Sequence, residues 1–145
     1  MVTKVWLRKL RVFRALDSAD RLLVLEAIVA LSVAGVLLRA VPFRWLARWL
    51  SRTPDDGVCV ERLLVRVRRA VTMAAANVPW TAVCLPQAMA AKALLARRGH
   101  GSACVFGAGT DANGTLVSHA WLVSGGRIVV GAAGVRGVTP LARFG

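Results

Sequence analysis

The side chains able to form a thiol–imidazole pair are few in this sequence: three cysteines, Cys59, Cys84 and Cys104, and two histidines, His100 and His119. Cys84 heads the stretch "CLPQAMAAKALLARRG", in which Pro86 falls in the first helical turn, where its missing N–H costs nothing. Leu85, Met89, the Lys92 stem, Leu94 and Leu95 supply an apolar stripe, and Gly99 caps the segment after Arg97 and Arg98. A cysteine at or beside a helix N-cap sits where the helix dipole and free backbone N–H groups favour thiolate over thiol. The N–H groups of Cys84 and Leu85 are then placed to hold an oxyanion. His119 is expected mid-strand in "TLVSHAWLV", sharing its face with Val117, Trp121 and Val123. The chemistry such a pair performs is nucleophilic attack by sulfur on a carbonyl, with the imidazole moving the proton.

Blander roles compete for the same residues, because free cysteine is among the most buried residue types. Cys104 alternates inward on "SACVFGAG" and is assigned to the core, as is Cys59 near a helix start, while His100 follows the capping Gly99 into a surface loop. Trp121 is expected as a wall beside the histidine, since an indole N–H donates but takes no proton. The cysteines lack the CxxC spacing of zinc sites, and no metal site is expected. Three cysteines cannot all pair, which fits a reduced, cytosolic setting.

Elements that would position the pair follow from periodicity. "MVTKVWLRKLRVFRAL" reads as a basic amphipathic helix and not as a secretory signal, having no continuous apolar core and no cleavage site. From Asp17, capping residues open a helix that is almost wholly apolar from Leu22 to Leu38, interrupted by Glu26 and Ser32 and ended by Pro42. Its length is at the lower limit for a membrane span, and burial in protein is the plainer reading. "FRWLARWLSR" sets Phe43, Leu46 and Leu50 at helical spacing, with Arg44, Arg48 and Arg52 on another face, a helix able to rest on lipid or protein. "TPDDG" marks the boundary between a helical, apolar and basic segment (1–54) and a second unit (55–145). After it, Val60, Leu63, Leu64, Val67, Val71 and Ala74 share one helix face, with Asp55 or Asp56 as its cap. Past Gly99 the pattern changes to strands: "SACVFGAG", an Asn-Gly turn in "TDANGT", "TLVSHAWLV", then a two-residue hairpin at "SGGR" into "RIVVG". The fold class is therefore α+β, helices followed by a small antiparallel sheet.

"PWTAVCLPQAMAAKALLARRGHGSACVFGAG" followed by "SHAWLVSGGRIVVGA" resembles the transglutaminase-like cysteine proteases that remove the leader peptide in lasso-peptide biosynthesis, over about residues 20–140. The resemblance implies a transglutaminase/papain-like core with Cys84 as nucleophile, His119 as base, and Trp80 beside Trp121 as site walls. It also implies a stand-alone leader peptidase working without cofactor, whose partners are the precursor's leader, a separate leader-recognition protein and an ATP-dependent lasso cyclase. The family's orienting aspartate has no counterpart, because no Asp or Glu follows Asp111. Counting back through the hairpin sets His119 opposite Ala132, flanked by Gly131 and Ala133. A backbone carbonyl, the Gln87 amide or Asp111 would orient the ring, or the site works as a dyad, or it is impaired.

A net charge of +13 favours acidic partners: an acidic peptide, nucleic acid or an anionic membrane. Residues 1–70 carry 14 of the 20 basic residues and six of the seven acids. The arginines match no nucleic-acid-binding module, so nucleic acid is not an expected partner. The alternative to a protease is a membrane-associated or adaptor protein of the same maturation complex, supported by the apolar 22–38 helix, the tryptophan-bearing 44–52 helix and the missing acid.

Overall fold

The computed structural model describes residues 2–57 and 60–145, with side chains from residue 7 onward. Among the described residues, helices α1 (Val2–Ala15), α2 (Ser18–Ala40), α3 (Phe43–Leu50), α4 (Glu61–Ala75) and α5 (Cys84–Ala96) precede strands β1 (Ala103–Thr110), β2 (Leu116–Ser124), β3 (Arg127–Val130) and β4 (Val138–Phe144). The strands form one antiparallel sheet in the order β3-β2-β1-β4. The α+β class read from the sequence is the observed one.

Local chemistry sets the helix ends. The Asp17 carboxylate accepts from the Asp20 N–H at 2.7 Å and opens α2, and the extended Val41, forced out of the helical region by the following Pro42, closes it. One side of α2 is committed to the protein: Leu23, Val24, Ala27, Leu31 and Ala34 are buried in a core that also contains Val67 and Val71 of α4, Leu94 and Leu95 of α5, and Cys104 and Leu122 of the sheet. Residues on both sides of the "TPDDG" turn thus share this core. Glu26, inside the apolar run of α2, is bound by Arg98 at 3.0 Å, and Ser32 returns its hydroxyl to the Ile28 carbonyl. Phe43 at the start of α3 meets Phe106 and Phe144 edge to face, tying that helix to β1 and β4.

Three sequence expectations are corrected. Asp55 does not cap α4, whose N-cap is Val60 without a side-chain bond; its nearly buried carboxylate instead accepts from the N–H groups of Gly57 and Gly125 and pairs with Arg143 at 3.2 Å. The stripe on α5 extends to burial around most of its circumference, because α5 is the central helix, covered by α2, α4 and the sheet. Lys92 accordingly buries its ammonium group as well as its stem, donating to the Thr53 carbonyl at 2.9 Å and to the Ser102 carbonyl. Burial lowers its pKa to about 8. A strand that the sequence pattern does not announce, β4, pairs with β1 as the outer strand of the sheet and carries Pro140, a residue tolerated on edge strands. Cys104 is fully buried as expected, and burial raises its pKa to about 12. His100 is half-buried. The expectation for Cys59 lies outside the described residues.

Candidate active site

Cys84 is the first residue of α5, directly after the extended N-cap Val83. The first intrahelical bond runs from the Gln87 N–H to the Val83 carbonyl at 3.3 Å, so the N–H groups of Cys84 and Leu85 lie before the ladder begins, and Pro86 contributes none. The Gln87 amide nitrogen donates to the Ala82 carbonyl at 2.7 Å and fastens the preceding loop to the helix.

His119 sits on β2 opposite Gly107 of β1. On its other side β2 pairs with β3 only at Leu122, Val123 and Ser124, through a bulge between Leu122 and Val123, so the stretch around His119 has no strand neighbour there. The hairpin itself is the expected one, with Gly125 and Gly126 at φ 56° and 75°. Beyond β3 the chain leaves the sheet through Gly131, at φ 91°, and a 3-10 turn at Ala132–Gly134. That departure places the Gly131 carbonyl 2.7 Å from His119 Nε2. A carbonyl only accepts, so Nε2 carries the proton of the neutral ring and Nδ1 keeps its lone pair.

The thiol, half-buried, and the imidazole, half-buried, both line an open cleft of about 390 Å³. Gln87, Thr72 and Arg68 complete one wall of it, and Val130 to Gly134 the other. Among the described residues no hydrogen bond joins Cys84 to His119. Arg68 donates to the carbonyls of Val129 at 2.8 Å and Ile128 at 2.7 Å, fixing the wall that carries Gly131, and among the described residues is the single Arg, Lys, Asp or Glu lining the cleft. Trp121 stacks on the imidazole with centroids 6.1 Å apart and planes 20° from parallel.

Of the other residues singled out by sequence, Trp80 lies in the loop before α5, 36% exposed, and is not among those lining the cleft. Asp111 spends its carboxylate on its own turn, accepting from the N–H groups of Asn113 and Thr115 at 2.9 Å each. Among the described residues neither Asp111 nor the Gln87 amide nitrogen hydrogen-bonds the ring; the Gly131 carbonyl does. Gly134 was not foreseen at all: a Cβ built there would lie 2.5 Å from His119 Cε1 and Nε2. Its only sequence signal is the pair of glycines in "GAAG" where a strand should end.

A family model described as the transglutaminase-like superfamily matches residues 27–143, from within α2 to the penultimate residue of β4, and so includes the residues lining the cleft. The chain belongs to the transglutaminase-like superfamily. That superfamily includes cysteine proteases. No curated protein and no solved structure matches the chain. Within this superfamily member, the matched region contains both Cys84 and His119.

Proposed function

We propose that this transglutaminase-like protein is a cysteine peptidase that removes the leader from a ribosomally made lasso-peptide precursor. The observation that carries the reading is the shared cleft, with Cys84 at the open start of α5 and His119 held at Nε2 by the Gly131 carbonyl. His119 Nδ1 takes the thiol proton of Cys84 as sulfur attacks the scissile carbonyl carbon. The oxyanion so formed faces the N–H groups of Cys84 and Leu85. Collapse expels the core peptide as an amine, which receives the proton from the imidazolium, and leaves the leader as a thioester on Cys84. Water, deprotonated by His119, attacks the thioester and releases the leader carboxylate and the thiol. The chemistry requires no cofactor. Its partners are the leader, a separate leader-recognition protein and the lasso cyclase that closes the freed core.

A second reading, an adaptor in the same complex with impaired catalysis, draws on one observation: a neutral carbonyl, not a carboxylate, contacts the ring. Single-turnover cleavage of a lasso-peptide precursor, with and without a separate leader-recognition protein, separates the two. The peptidase reading expects cleavage that the recognition protein accelerates and that Cys84→Ala and His119→Ala abolish in folded protein. No cleavage by wild type with both partners present favours the adaptor.

A further inference from the structure

Helix α2 is long and apolar enough to cross a bilayer, yet only one side of it packs on the protein. On the other side Leu22, Leu25, Val29, Val33 and Val36 are exposed by 57%, 50%, 62%, 50% and 62%. Their spacing of three and four residues aligns them in a single stripe of about 21 Å. The stripe borders a groove of about 440 Å³ whose far wall includes Trp49 of α3 and Met89 of α5. One helical turn before Trp49, and so on the same side of α3, Trp45 is 51% exposed. The Arg48 guanidinium lies 4.7 Å from its ring centroid and that of Arg44 5.9 Å.

Aliphatic side chains bordered by tryptophan, with guanidinium groups beside the indole, match the gradient from acyl chain to phosphate at a bilayer surface. The net charge of +13 adds attraction to anionic lipid. We propose that this face docks on an anionic membrane surface, with α2 lying along the interface. Spanning is disfavoured, since it would strip the buried side of α2 from α4 and α5 and break the Glu26–Arg98 pair. Lying flat keeps both. A partner's helix or a second copy would also cover an apolar stripe, but neither accounts for the arginine-flanked indole of Trp45, one helical turn from the groove-lining Trp49. The inference stands independently of the peptidase reading.

The test is co-sedimentation of the full chain with vesicles of phosphatidylcholine alone and of equimolar phosphatidylcholine and phosphatidylglycerol, with tryptophan quenching by acyl-brominated lipid. Binding to the anionic vesicles is expected to be about tenfold or more tighter than to the neutral ones, with quenching that Trp45→Phe diminishes. The charge-neutral double variant Val29→Gln, Val33→Gln should keep its circular dichroism and lose about tenfold in binding. Three results overturn the proposal: no binding to anionic vesicles; binding by the double variant equal to wild type without quenching, which is charge attraction alone; or a wild-type dimer that ignores vesicles and that the double variant dissociates.

Discussion

At His119 one atom decides the chemistry. The Gly131 carbonyl fixes the proton on Nε2, and the ring is held there by contact as much as by that bond, since Gly134 leaves no space for a methyl group against it. Gly134→Ala is therefore expected to turn the imidazole and lower precursor cleavage by about 10- to 100-fold, while folding is kept because Gly134 lies outside the core. Turnover and thermal midpoint measured on the same sample check this; unchanged turnover would mean the ring relocates freely. Asp111→Asn should change turnover only a few fold, against the roughly 10⁴ loss known for a triad aspartate, because its carboxylate caps a turn. Cys84 and His119 were legible from residue type and from a strand-and-helix pattern with a resemblance behind it. The orienting group was legible only as one of several alternatives: a carbonyl has no residue type, and the count that set His119 opposite Ala132 assumed an unbroken ladder, which the bulge at Leu122 breaks.

Among the elements, α5 shows how far periodicity reaches. Its start at Cys84 and its glycine stop were readable, with the His100 N–H closing on the Leu95 carbonyl at 3.0 Å past Gly99. Its burial around most of its circumference was not, because Lys92 reads as a solvent marker until its ammonium finds two carbonyls. β4 was missed since Pro140 argues against a strand unless the strand is known to be an edge. Burial of Lys92 has a measurable consequence. With a folded-state pKa of about 8 against 10.5, the unfolded chain binds the extra proton across that interval, so this group's contribution to stability rises from about pH 8 and is lost as pH falls through it. Cys104, raised from 9.0 to about 12, acts oppositely, keeping its proton when the unfolded thiol has lost one, so its contribution falls as pH rises above 9. Thermal midpoints are thus expected to climb between about pH 8 and 9 and then level. In Cys104→Ala the climb should continue toward pH 10.5, and in Lys92→Met the initial climb should disappear. A Lys92→Met profile parallel to wild type would show that the ammonium titrates normally.

For the whole molecule, helices and sheet converge on one cleft: α5 brings the thiol, β2 the imidazole, and Arg68 of α4 braces the wall that holds the Gly131 carbonyl. The order of helices then strands was legible because the hydrophobic period changes at Gly99, and the match to the superfamily spans that change. How α2 shares its two sides between core and solvent was not, since an apolar run reads alike on every side. The central claim is that Cys84 forms a covalent bond to the leader. Its most direct measurement is intact-protein and peptide mass spectrometry after acid quench of the protein mixed with its precursor and recognition protein. The account predicts a leader-sized acyl adduct mapped to Cys84 that appears with release of the core peptide and is absent in Cys84→Ala. Release of the core peptide by Cys84→Ala at the wild-type rate, with no adduct on either protein, would contradict it.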